Sequence, residues 1–141
     1  MDYMELAIEL LGVQENLIQV PTTHKIHKMV RGELFVLNYL AYHGSNVHPK
    51  ELSEKMAVSS ARIASLLNHL EKKQLIQRYV DQHDNRQIIV LLTDLGRQEI
   101  SRVRSELLPE IAAMLEKLGP EDAENYIRIQ KKIWSTFQSD R

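Results

Sequence analysis

Residues 58–93, VSSARIASLLNHLEKKQLIQRYVDQHDNRQIIVLLT, join an amphipathic helix directly to a short hairpin with a charged tip. Ile63, Leu66, Leu67 and Leu70 recur at helical spacing, which commits one face to a core, while Ser60, Arg62, Ser65, Asn68 and His69 fall outside that stripe. Ser59 or Ser60 suits the N-cap, because a serine hydroxyl accepts from the free N–H groups of a first helical turn. Beyond Lys73, Ile76, Arg78 and Val80 alternate with Leu75, Gln77 and Tyr79, and the run IIVLL returns as a second strand. The intervening DQHDNRQ is polar, carries turn-forming Asp and Asn, and raises Arg86 near the tip beside Asp84. A helix with an outward face of hydrogen-bonding groups, followed by such a hairpin, is the pattern of a winged helix-turn-helix. That face suits the major groove of duplex DNA, where polar side chains read base edges.

The flanking segments supply what this unit needs. Upstream, Leu34, Leu37, Tyr39, Leu40 and Ala41 mark a buried helix over 32–42 that stops at His43-Gly44. His48-Pro49-Lys50-Glu51-Leu52 places proline at a first helical position, where its missing N–H costs nothing, and this helix runs to about Ala57 with Leu52 and Met56 inward. Residues 2–20 predict an N-terminal helix whose apolar surface, from Tyr3 and Met4 to Ile18, is far wider than one stripe, and Pro21 should end it. Thr22 to Arg31 reads as a short helical turn or a loop. Downstream, Thr93 caps a helix carrying Leu95, Ile100, Val103, Leu107, Ile111, Met114 and Leu118, in which Pro109 predicts a kink or a break after Leu108. Gly119-Pro120 begins a last helix with an apolar face of Ala123, Tyr126, Ile127, Ile133, Trp134 and Phe137.

At 141 residues the chain fits one domain, or two small lobes sharing long helices. The absence of cysteine removes disulfides, thiolate metal sites and thiol redox sensing, and a reducing cytoplasm is the expected setting. No apolar run approaches the roughly 20 residues that span a bilayer, and residues 1–20 lack a basic n-region, so neither an anchor nor a signal peptide is expected. The net charge of -1 hides an uneven distribution. Asp2, Glu5, Glu9 and Glu15 face no Lys or Arg in residues 1–24, whereas residues 25–97 hold eleven basic and seven acidic groups, an excess in the segment that would meet phosphate. No Gly-rich phosphate loop, G-x-S-x-G, H-E-x-x-H or cysteine nucleophile is present, which argues against an enzyme. His24 and His27 could share a helix face near Glu33, yet no Cys or His-rich cluster completes a ligand set, so neither metal nor cofactor is expected.

The helices outside the DNA-reading unit carry more apolar surface than a small lobe can cover, and dimerisation accounts for it. The expected division is a winged helix-turn-helix over 32–96, with 1–31 and 97–141 as a helical dimerisation region. Two-fold pairing would set two recognition helices one DNA turn apart, roughly 34 Å, to match an inverted repeat.

In this order of elements the chain resembles the MarR (multiple antibiotic resistance regulator) family. Asp84-Asn85-Arg86, then Ile88 to Leu91, then Leu92-Thr93-Asp94-Leu95-Gly96 are similar to that family's D-x-R, apolar strand and L-T-x-x-G, and Glu51 to Ser59 is similar to its helix-turn-helix entry. The resemblance implies a mainly α fold with a small β-hairpin wing and a homodimer held by its terminal helices. It also implies a recognition helix in the major groove, and Arg86 in the minor groove braced by Asp84. It further implies an organic effector bound between the dimer helices and the reading lobe, with His27, Met29, Phe35 and Tyr39 as candidate lining. The sequence departs from the family at Gln74, where Gly usually follows the recognition helix, and at Ala64-Ser65, where many relatives carry Thr-Arg.

The expected function is that of a cytoplasmic transcriptional regulator, an effector-responsive repressor binding a pseudo-palindromic operator as a homodimer. A metal-responsive regulator of the same fold and a winged-helix protein-interaction module are the alternatives. The candidate DNA-binding residues are Ser59, Ser60, Arg62, Ser65, Asn68, His69, Arg78, Asp84 and Arg86, with Arg78 suited to either a phosphate contact or a strand salt bridge.

Overall fold

Proline punctuates the chain. Pro21, Pro49 and Pro120 each open a helix, where the fixed φ fits and no N–H is needed. The computed structural model describes residues 1–141. It comprises α1 (Tyr3–Leu17), α2 (Pro21–Met29), α3 (Gly32–Tyr42), α4 (Pro49–Met56), α5 (Ser60–Lys72), β1 (Ile76–Val80), β2 (Ile88–Leu92), α6 (Asp94–Leu118) and α7 (Pro120–Ser139). The chain forms two compact units, Met1–Ser105 and Glu106–Arg141, with α6 passing from one into the other.

In the first unit the core gathers Val36, Leu37 and Leu40 of α3, Leu52 of α4, Ile63, Leu67 and Leu70 of α5, Ile76 of β1, Val90 of β2 and Ile100 of α6. Each element thus buries the stripe that its spacing defines. β1 and β2 pair antiparallel with Ile76 opposite Leu92, Arg78 opposite Val90 and Val80 opposite Ile88. The Val90 N–H donates to the Val47 carbonyl at 2.9 Å, so the segment entering α4 lies along the outer edge of the wing.

Helix, turn and wing are locked by a short run of residues. Gln74 has φ +62, the left-handed conformation that a glycine would adopt more cheaply. Thr93 Oγ1 donates to the Gln74 carbonyl at 2.7 Å, and the Thr93 N–H donates to the Leu75 carbonyl at 3.1 Å. The same hydroxyl accepts from the Gly96 N–H at 2.9 Å and so caps α6. A Cβ at Gly96 would lie 2.1 Å from the Leu75 carbonyl oxygen. The L-T-x-x-G run therefore closes the wing onto the end of the recognition helix, and its glycine is required by contact with backbone.

Two expectations need correction. The chain does not break after Leu108, since α6 continues through Pro109. Proline leaves the Ser105 carbonyl without its helical donor, but Ser105 is exposed, so water can take that role. α1 stops at Leu17, ahead of the proline expected to end it, and the segment after Pro21 takes the helical one of its two expected forms, over nine residues.

No residue of α1 or α7 is buried. Along α1, Tyr3, Met4, Ile8 and Leu11 are exposed, as is Ile18 just after it, and along α7, Ile133, Trp134 and Phe137 are exposed, with the Trp134 and Phe137 rings stacked at 5.7 Å. None of the helices is long and apolar enough to cross a membrane.

Candidate nucleic-acid interface

The surface formed by α5 and the wing is built from the α5 stripe outward. Once Ile63, Leu66, Leu67 and Leu70 are buried, the 3.6-residue period leaves Ser60, Arg62, Ser65, Asn68 and His69 exposed. Ser59 is the N-cap: its hydroxyl accepts from the Arg62 N–H at 3.1 Å, which commits that side chain to the helix end.

At the wing tip the Asp84 carboxylate accepts from the backbone N–H of Arg86 at 3.1 Å and from Arg86 Nε at 3.2 Å. One carboxylate thereby sets both the loop and the direction of the guanidinium, whose side chain is 90% exposed. The loop is shaped further by Asp81 Oδ1, which accepts from the His83 N–H at 2.8 Å, and by the Asp81 N–H donating to the Gln87 carbonyl at 2.9 Å.

Arg78 sits differently. Its Nε lies 3.0 Å from Glu71 Oε2, and its Nη2 donates to Asn68 Oδ1 at 2.8 Å and to Glu71 Oε1 at 3.3 Å. The Arg78 hydrogen bonds hold the Glu71 carboxyl below its ordinary value. His69 is likewise engaged, with its ring against the Glu33 carboxylate that also takes Lys73 Nζ at 3.0 Å. Burial raises the Glu33 pKa, but the hydrogen bonds and charges of Lys73 and His69 outweigh it, and the net shift is downward.

Glu71, His48 and Asp81 are polar partners that the sequence reading did not single out, and Glu33, considered there only beside His24 and His27, pairs with His69 and Lys73. His48 Nε2 meets Asp81 Oδ2 at 3.0 Å, joining the start of α4 to the base of the wing loop. That bond, then the His83 N–H, lowers the Asp81 pKa. Opposite charges at Glu71 and Arg78 flank the turn after α5 and were a usable local signal. The pairs Glu33–Lys73 and His48–Asp81 span 40 and 33 residues and have no local signature.

The four candidate effector residues are not brought together on one surface. His27 lines an open crevice of about 590 Å³ with Ile18, His24, Lys28, Arg31 and Arg62, whereas Met29 and Phe35 pack against the core and Tyr39 belongs to it. Tyr39 stacks on Phe35 and donates to the Glu51 carboxylate; burial and then that bond push its hydroxyl up to about 12. His24, His27 and Glu33 all line the crevice without forming a group of the kind that holds a metal ion.

Comparison with known proteins agrees with this geometry. Residues 20–103 match the family model for the transcriptional regulator SarA/Rot. The HTH-type transcriptional repressor MdtR of Bacillus subtilis is 31% identical over 108 residues, covering 77% of this chain and 69% of MdtR. The HTH-type transcriptional regulator YdgJ of the same organism is 31% identical over 83 residues, which is 59% of this chain; the match spans about half of YdgJ, 51%. Among solved structures, a MarR family protein from Bacillus stearothermophilus superposes with a TM-score of 0.73 at 20% identity, over 98% of this chain and 99% of that one. These relatives are regulators, not enzymes. With the winged helix-turn-helix built as described and all of it inside the matched region, the chain belongs to the SarA/Rot family of transcriptional regulators and has the fold of a MarR family protein.

Proposed function

We propose that this chain is a DNA-binding repressor that acts in the cytoplasm as a homodimer on a pseudo-palindromic operator. The observation that carries the reading is the pairing of α5's exposed polar face with a wing tip whose Arg86 is held outward by Asp84. In this reading Ser60, Arg62, Ser65 and Asn68 approach the major groove, and His69 reaches it at the edge of that face. Ser59 orders the helix N-terminus near phosphate, while Arg86 enters the minor groove. Residues 32–96 form the reading unit, and residues 1–31 and 97–141 pair with a second copy through the apolar faces of α1 and α7.

An effector acts only by binding two spacings of the recognition helices with different affinity. The crevice beside His27 supports such a site. It brings Lys28, Arg31 and the recognition-helix residue Arg62 to one place, so a ligand there touches the helix that would move.

The test is fluorescence anisotropy with a labelled duplex from the promoter of the chain's own gene. The dimer should bind at low salt, with affinity falling steeply as salt rises, and Arg86→Ala should lose on the order of tenfold with the dimer intact. Absence of binding at low salt, or binding that ignores salt, contradicts the proposal.

A further inference from the structure

We infer that Arg78 is a positioning residue that clamps the wing to the recognition helix, and that it sets which hydrogen-bonding groups Asn68 offers to DNA. The inference rests on the DNA-binding reading for its second half only. Arg78 stands in the middle of β1 opposite Val90, and its two partners, Asn68 and Glu71, are one turn apart on α5. The guanidinium therefore bridges the turn that contains left-handed Gln74. Its side chain is 27% exposed against 90% for Arg86, and two of its nitrogens already donate to the protein. Turning Nε and Nη2 to a phosphate would require giving up a carboxylate and an amide that hold them in a fork geometry.

The consequence for Asn68 follows from donor and acceptor chemistry. Guanidinium has donors and no acceptor, so the Asn68 atom facing it is the carbonyl oxygen. With that oxygen engaged, Asn68 presents its amide N–H groups outward. It then suits acceptors, such as a purine N7, the O6 of guanine, the O4 of thymine or a phosphate oxygen, and not the paired donor and acceptor edge of adenine. Glu71 thus affects recognition without touching DNA.

The two roles of Arg78 give opposite signs for Glu71→Gln. If Arg78 is a clamp, loosening its carboxylate partner lowers duplex affinity about tenfold, and Glu71→Gln combined with Arg78→Gln is no weaker than Arg78→Gln alone. The slope of log affinity against log salt stays as in the wild type. If Arg78 binds phosphate, Glu71→Gln frees it and tightens binding, and Arg78→Gln reduces the slope by about 0.9; either result overturns the inference. Amide hydrogen exchange on the free protein reads the clamp without DNA. Ile76–Val80 should exchange several-fold faster in Glu71→Gln, and unchanged exchange there overturns the clamp. If the wild type binds no DNA, the DNA-binding reading is what has failed, and the exchange result still decides whether Arg78 holds the wing.

Discussion

Helices α5 and α7 carry the same kind of apolar stripe and differ in what covers it. In α5, Ile63, Leu66, Leu67 and Leu70 are at most 6% exposed, whereas in α7, Tyr126, Ile127, Ile133, Trp134 and Phe137 lie between 40% and 61%. Spacing specifies that a face will leave water, but the identity of the partner is a tertiary fact. For α5 the partner lies in the same chain, in α3, α4 and the wing. For α7 we propose a second copy, since an aromatic and aliphatic row of this size is costly to leave in water.

The sharpest way to break the comparison is to truncate each stripe. Leu67→Ala removes a side chain 1% exposed and should cost about 3 kcal/mol of folding stability, read from the urea midpoint at one fixed protein concentration. A loss below about 1 kcal/mol would mean that α5 is not anchored as described. Trp134→Ala should leave each protomer folded and weaken self-association by about 2 kcal/mol, or some thirtyfold, by sedimentation. Unchanged association would remove α7 from the interface. A smaller effect sharpens the account at the junction of α5 and the wing: Gln74→Gly relieves a left-handed side-chain residue and should raise stability by about 0.5–1 kcal/mol, read as a shift in melting temperature.

These regions were unequally legible. The α5 stripe, both strands and the proline-led starts of α4 and α7 follow from local periodicity and from the missing proline N–H, so their positions could be read without tertiary information. Gln74 was legible as a departure, because a residue in a glycine position must still take the left-handed turn. Of the two outcomes expected at Pro109 the break does not occur, because local rules count the lost hydrogen bond but not the solvent that can satisfy Ser105. In the site, Asp84 and Arg86 are two residues apart, so their pairing was readable. The pairing of Arg78 with Glu71 was only half readable, and Glu33 with His69 was not, because they stand 36 positions apart in the chain and only the fold brings them together. The candidate effector residues failed to converge for a related reason: aromatic and methionine side chains near a helix start look alike whether they line a crevice or fill a core.

The central claim is that α5 and the wing meet DNA while α7 meets a second copy of the chain. Amide hydrogen exchange of the same sample, with and without promoter duplex and at two protein concentrations, tests both halves together. Duplex should slow exchange at Ser60–Lys72 and at residues 84–87 and leave α7 unchanged, whereas dilution of the protein alone should speed exchange in α7 and spare α5. Protection by DNA that falls on α7 and not on α5 or the wing tip would contradict the account.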